Sequence, residues 1–156
     1  PDQLNLTRQN INMMIRKAVA IIAANKLVEK ITIIQELDEQ LPEVDVDEQQ
    51  LMQVILNIAL NAIEAMPQGG TLTFCTSGQE TESEGTISLA VRDTGTGISK
   101  KDLKDIFKPF FTTKERGVGL GLAICQKIIR EHSGSIQAQS IPSGGTEFLI
   151  KIKTVG

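Results

Sequence analysis

Two asparagines stand in the middle of a segment that otherwise carries an apolar stripe, at positions 57 and 61. Asn is a poor helix former, costing up to ~0.7 kcal/mol per residue relative to Ala, so two of them one turn apart ask for a use. Gln50, Gln53, Asn57, Asn61 and Glu64 follow at steps of three, four, four and three, which draws one polar stripe along a helix. A merely solvated face would be better served by Lys and Glu. The other reading is a pair of amides aimed at a ligand. An Asn carbonyl oxygen is a hard, neutral donor suited to Mg²⁺, which readily shares its oxygen ligands with phosphates.

Two glycine-rich segments follow. Asp93-Thr94-Gly95-Thr96-Gly97-Ile98 comes straight after a strand-like run. Its alternate glycines let the backbone turn tightly and approach a flat ligand. A carboxylate there can accept from an exocyclic amine such as that of adenine; the plainer alternative is an Asp that closes its own turn. Gly117-Val118-Gly119-Leu120-Gly121-Leu122 runs into a helix, and free N–H groups at a helix start suit phosphate. It is not a P-loop, because no G-K-[ST] follows, and its spacing is not that of the dinucleotide fingerprint. A glycine hinge is the alternative. Between the two lies Phe107-Lys108-Pro109-Phe110-Phe111-Thr112-Thr113-Lys114, which holds three of the five phenylalanines of the chain. It reads either as an apolar plug or as a lid anchored by phenylalanines, with Lys114 and Arg116 available to a terminal phosphate.

The elements that must carry these residues follow from periodicity. Ile11, Met14, Ile15, Ala18, Val19 and Ile22 predict an amphipathic helix over about 10–25. Ile31–Ile34 is short and β-branched, a strand, after which Leu41-Pro42 breaks the chain ahead of the next helix. That helix opens with Asp47 and Gln50 as a capping-box variant. It buries Leu51, Val54, Ile55, Ile58 and Ala62, and ends near Met66, before Pro67 and Gly69-Gly70. Thr71–Thr76 and Thr86–Arg92 read as strands. Residues 78–85, with Glu80, Glu82 and Glu84, read as a solvated hairpin loop whose charges discourage edge pairing. Residues 93–114 are irregular apart from a short helical stretch near 101–106. A third helix spans about 119–131, with Gly134 at its stop. Strands near 135–140 and 147–153 flank a Pro142–Gly145 turn. This order predicts an α/β (α+β) two-layer sandwich, a mixed and mostly antiparallel sheet covered on one face by helices.

Composition narrows the functions. The 156 residues carry a net charge of −3 and fit one domain over 1–156. Mild acidity argues against a nucleic-acid footprint. The absence of Trp and Tyr argues against base-stacking platforms and aromatic cages. No apolar run reaches the ~18 residues of a membrane span, so no direct membrane insertion is expected. Cys75 and Cys125 read as two buried thiols. The chain opens on Pro1 rather than Met, which reads as a piece of something longer.

Taken together and in order, these segments resemble the catalytic, ATP-binding domain of two-component sensor histidine kinases, with a short lid like that of the nitrogen-regulation class. The asparagine box is Gln53–Ala65, the first glycine box Asp93–Ile98, the phenylalanine box Phe107–Lys114 and the second glycine box Gly117–Leu122. Gly144-Gly145-Thr146 resembles the last glycine-threonine element. The resemblance implies the Bergerat fold, shared with gyrase, Hsp90 and MutL ATPases, and ATP and Mg²⁺ as cofactors. It also implies transfer of the γ-phosphoryl group to a histidine on a separate dimerisation hairpin of the same parent kinase. A response regulator would be an indirect partner, and the location cytoplasmic, under a parent that can be membrane-anchored.

By the same resemblance Asn61 holds Mg²⁺ and Asn57 assists it, and with Lys114 these are the catalytic residues. Asp93 takes the adenine amine, Ala65, Gly95, Gly97 and Ile98 shape the base pocket, and Thr146 supports the base side. Phe110, Thr113, Lys114 and Arg116 belong to the lid. Gly117, Gly119, Leu120, Gly121 and Leu122 face the phosphates. In the ATPase branch a glutamate four residues before the metal asparagine activates water; here that position is Asn57, and an amide is no general base near pH 7. The resemblance thus implies a kinase with negligible ATP hydrolysis. A nucleotide-binding regulatory module without transfer activity and a gyrase-type ATPase are the competing readings. Val118 stands where relatives often place Thr or Ser, and Glu64 where some place a basic residue. His132, the single histidine, lies inside the ATP-binding domain near a helix end and is not read as the phosphoacceptor.

Overall fold

A computed structural model describes residues 3–25, 28–80, 85–109, 111 and 121–154. In chain order it contains β1 (Leu6–Gln9), α1 (Ile11–Ala23), β2 (Ile31–Glu36), β3 (Val44–Asp47), α2 (Glu48–Glu64) and β4 (Gly70–Glu80). Then follow β5 (Gly85–Asp93), α3 (Lys100–Leu103), α4 (Gly121–Glu131), β6 (Ser135–Ser140) and β7 (Thr146–Thr154). Five strands form one sheet in the order β2-β4-β5-β7-β6. Only the β2–β4 pair is parallel; the other three pairs are antiparallel. The expected mixed, mostly antiparallel sheet with helices on one face is the architecture found.

The helices lie where their apolar stripes demand. In α1, Ile11, Met14, Ile15, Ala18 and Ile22 are buried, capped by the Asn10 side chain, which accepts from the Asn12 N–H at 2.9 Å. In α2, Leu51, Val54, Ile55, Ile58 and Ala62 are at most 2 % exposed. They meet the alternate residues Leu72 and Phe74 of β4, Ile87, Leu89 and Val91 of β5, and Phe148 and Ile150 of β7 in one apolar cluster. Each such side chain contributes about 1.5–3 kcal/mol on burial, so this layer fixes α2 over the sheet. Asp47 caps α2, its Oδ1 accepting from the Gln50 N–H at 3.1 Å.

Three expectations need correction. The break at Leu41-Pro42 does not lead straight into α2: β3 intervenes and pairs antiparallel with β1 in a separate two-stranded sheet. Both strands have four residues, too few for a local pattern to declare. Residues 78–85 are not all loop: β4 runs on to Glu80, paired with Gly85 at the start of β5, and Glu82 and Glu84 lie outside the described residues. Gly78 lies close to the Pro42 ring, and a Cβ there would stand 3.2 Å from the ring Cδ. Lastly, Cys125 is fully buried, but Cys75 is only half-buried, because it sits on the face of β4 opposite Leu72 and Phe74.

Candidate functional site

The stripe predicted on α2 is real. Burial of Val54, Ile58 and Ala62 turns Asn57 and Asn61 to the helix flank, half-buried, with Ala65 next on the same line at the C-cap. Behind Asn57 stands Cys125 of α4, fully buried, with its thiol directed at the Val54 carbonyl at 4.0 Å. The Asn57 side chain is hydrogen-bonded to the same sulfur, and burial pushes the thiol up to about 11. At neutral pH it is therefore an uncharged SH, a small spacer that meets Asn57 and not a nucleophile.

At the end of β5, Asp93 is 3 % exposed. Its Oδ1 accepts from the Gly95 N–H at 2.8 Å and from the Thr146 N–H at 3.3 Å. Both of these bonds fall on one oxygen of the carboxylate. Burial pushes the carboxyl up from its ordinary value, and the two N–H groups work in the opposite sense. Among the described residues no cation pairs with it, and a buried carboxylate so placed is costly, the signature of a group retained for something other than stability.

Around Asp93 the chain crosses itself at backbone distance. The Thr96 N–H donates to the Ala65 carbonyl at 3.3 Å, which ties the first glycine box to the end of α2. A Cβ on Gly95 would overlap that same Ala65 carbonyl, and one on Gly145, at φ +101°, would overlap the Asp93 carbonyl. The glycines are therefore there so that two loops can touch α2 and β5 directly. Thr94 adds a tie that the sequence reading does not single out: its Oγ1 accepts from the Thr71 N–H at 3.0 Å and lies 3.6 Å from the Met66 sulfur.

Farther along, Gly97 takes a left-handed φ of +75°, and the Ile98 carbonyl accepts from the Ser140 hydroxyl at 2.7 Å. Ser140 is a second tie missed in sequence; nothing in its neighbourhood marks a partner 42 residues away. Ile98, Leu103, Phe107 and Phe111 pack against the core, and Ile106 is buried. Phe107 meets Phe148 edge-on, with ring centroids 6.4 Å apart and planes at 87°. Part of the phenylalanine box is thus an anchor, as expected.

Of the predicted site residues, the structure brings Ala65, Asp93, Gly95 and Thr146 together, with Gly97 and Ile98 following in the same loop and Asn61 and Asn57 one and two turns back from Ala65 along α2. Gly121 and Leu122 open α4. Phe110, Thr113, Lys114, Arg116, Gly117, Gly119 and Leu120 lie outside the described residues. His132 belongs to the opposite end of α2: its Nδ1 lies 2.8 Å from the Ile128 carbonyl, and its Nε2 accepts from the Asp47 N–H at 3.0 Å.

The donor set speaks to a metal. Among the described residues no group of three or more His, Cys, Asp or Glu side chains converges as a metal cage. What α2 offers is neutral amide oxygen. That fits Mg²⁺, which is commonly held by one or two protein oxygens while phosphates and water complete its shell. No helix among the described residues is long and apolar enough to cross a membrane.

Comparison with known proteins agrees with this geometry. Residues 46–155 match the family model described as "Histidine kinase-, DNA gyrase B-, and HSP90-like ATPase". Sporulation kinase C of Bacillus subtilis is 37% identical over 153 residues, covering 96% of this chain and 34% of that protein. The chain thus spans about a third of the length of such relatives. The catalytic domain of histidine kinase ThkA, solved free of nucleotide, superposes with a TM-score of 0.86 at 30% identity, covering 98% of this chain and 100% of that one; ThkA has also been solved with the response regulator TrrA. Full-length ShkA bound to AMPPNP gives a TM-score of 0.82 at 26% identity, covering 99% of this chain and 32% of that one. The asparagine line on α2, the buried Asp93 and these matches converge: the chain belongs to the histidine kinase-, DNA gyrase B- and HSP90-like ATPase family, as an ATP-binding catalytic domain of the sensor histidine kinase type.

Proposed function

We propose that residues 1–156 form a single catalytic domain that holds Mg²⁺-ATP and presents its γ-phosphoryl group to a histidine on a separate dimerisation hairpin of the parent kinase. The observation that carries this reading is the buried Asp93, braced on Oδ1 by two backbone N–H groups and set beside the Asn57–Asn61–Ala65 line. Asp93 Oδ2 takes the adenine amine, with Ala65, Gly95, Gly97 and Ile98 around the base and Thr146 supporting it. Asn61, assisted by Asn57, supplies amide oxygen to the Mg²⁺ that screens the triphosphate. Gly117, Gly119, Leu120, Gly121 and Leu122 face the phosphates with backbone N–H groups. Phe110, Thr113, Lys114 and Arg116 form the lid, with Lys114 or Arg116 at the γ-phosphate.

In the transfer, the bond from the γ-phosphorus to the β,γ-bridging oxygen breaks and a bond to an imidazole nitrogen forms. ADP leaves and the imidazole gives up its N–H proton. The chain's part is positioning and charge neutralisation. With Asn57 where a water-activating carboxylate would stand, hydrolysis is negligible. A response regulator is an indirect partner, as the ThkA–TrrA complex supports, and the domain works in the cytoplasm.

The test is labelled Mg²⁺-ATP with and without the cognate hairpin. Acid-labile, base-stable phosphohistidine on the hairpin is the expected product. Saturable ATP binding with no transfer would leave a regulatory module, and rapid hydrolysis by the chain alone would place it in the gyrase-type branch.

A further inference from the structure

Cys125 touches Val54 while His132 touches Asp47, so α4 runs antiparallel to α2 with two polar pins, each two helical turns from the other. The pin at His132 is directional. The Ile128 carbonyl can only accept, so Nδ1 carries the ring proton and Nε2 is left as the acceptor for the Asp47 N–H. That N–H belongs to the N-cap of α2, where the helix itself supplies no partner. The Asp47 carboxylate adds two more bonds at the same knot, accepting from the Gln50 N–H at 3.1 Å and the Asn5 N–H at 3.0 Å. One histidine thus clasps the end of α4 to the start of the helix that carries Asn57 and Asn61.

We propose that His132 is a positioning residue for nucleotide binding: by holding the last turn of α4 to the Asp47 N–H, it sets the height of the first turn of α4, at Gly121 and Leu122, against Asn57 and Asn61. The inference rests on the site reading above. Helices slip past one another unless something fixes their register, and apolar ridges alone leave several packings close in energy. A directional bond at one end of the pair selects one of them.

The test compares wild type, His132→Gln and His132→Leu by calorimetric titration with Mg²⁺-ATP at a temperature where circular dichroism shows each folded. Gln keeps an acceptor near the Nε2 position, whereas Leu keeps bulk and loses the acceptor. Positioning predicts about five-fold or greater weakening in His132→Leu and rescue to within about two-fold in His132→Gln. Linkage adds a readout in the unmutated protein. If the clasp favours ATP, ATP must favour the clasp by the same factor, so amide exchange at Asp47 slows about five-fold on saturation with Mg²⁺-ATP. A folded His132→Leu that binds like wild type and merely melts earlier overturns the proposal. Should that variant not fold, the Asp47 exchange decides: slowing supports the clasp, and equal rates in free and saturated protein overturn it. Absence of ATP binding by wild type overturns the site reading, and this inference with it.

Discussion

Replacing Asp93 by Asn separates what the carboxylate does for the ligand from what it does to the fold. The substitution keeps shape, and the Asn Oδ1 can still accept from the Gly95 and Thr146 N–H groups, now at 2.8 and 3.3 Å. The change falls on the other side of the group, where an anionic acceptor becomes an NH₂ facing the adenine amine, donor against donor. Losing a charge-assisted bond costs about 1–3 kcal/mol, a roughly 5- to 150-fold rise in Kd for Mg²⁺-ATP. The fold responds with the opposite sign. Burial raises the Asp93 carboxyl above its unfolded value near 3.8. A group so raised contributes stability below the unfolded value and loses it as pH rises through the folded one. At pH 7 the buried charge therefore opposes folding, and Asp93→Asn should melt no lower than wild type without ligand. Its advantage should shrink as pH falls toward 3.8. The assays are calorimetric titration at pH 7 and thermal melts across pH. GTP, which has a carbonyl where adenine has its amine, should bind wild type poorly and gain on ATP in the variant. An Asp93→Asn protein that binds ATP like wild type refutes the base assignment. One that melts well below wild type at pH 7 refutes the claim that the charge is held against stability.

Other substitutions test the remaining ties. Asn61→Ala should weaken Mg²⁺-ATP by about 1–3 kcal/mol and metal-free ADP far less; titration of both ligands checks this, and equal losses remove Asn61 from the metal. Asp47 is held below the ordinary carboxylate range, first by the Asn5 N–H and then by the Gln50 N–H. Its contribution is thus present above the unfolded value near 3.8 and lost as pH falls through the lower folded value. Asp47→Asn keeps a cap but should flatten that part of the acid-unfolding curve, read by circular dichroism against pH. Gly95→Ala drives a methyl into the Ala65 carbonyl. It should cost about 1–3 kcal/mol in a urea melt and weaken ATP as well, because the Thr96–Ala65 bond cannot persist beside the added carbon.

What was legible in the sequence is what depends on neighbours in the chain. The Asp47 cap, the buried line from Leu51 to Ala62 and the amide stripe beside it lie within one helix, where a 3.6-residue period records which side faces in. The Asp93 loop could be read because a carboxylate at a strand end followed by alternate glycines is a local pattern. Other features depend on residues far away. Strands β1 and β3 exist only as partners of one another, with Leu6 opposite Asp47, and neither is long enough to show a period. Cys75 and Phe74 are adjacent, yet one is half-buried and the other fully so; that follows from which side of β4 faces α2. The reach of β4 to Glu80 is set by β5 across the hairpin, against the local preference of Ser, Gly and Glu for a turn. Thr94 and Ser140 look like ordinary loop hydroxyls until Thr71 and Ile98 are placed beside them.

Helix α2 explains why the parts of the site stay together. Its inner face is fixed over the sheet by burial, its start by the Asp47 knot, and its end by the bond from Thr96 to Ala65. Asn57 and Asn61 lie between two tethered ends, on a helix that cannot rotate without exposing Val54 and Ile58. Asp93 is fixed independently, by β5 and by the backbone of Thr146. The two halves meet at Ala65, where the first glycine box rests on the last turn of α2. On the proposed reading, a base at Asp93 and a triphosphate along Asn61 and Asn57 would be spaced by the helix itself, at about 1.5 Å of rise per residue. Phe107 is anchored separately, edge-on against Phe148 of β7. On the proposed reading, a helix tethered at both ends is what transfer to an outside histidine requires, because the γ-phosphoryl group must stay in place while the acceptor approaches.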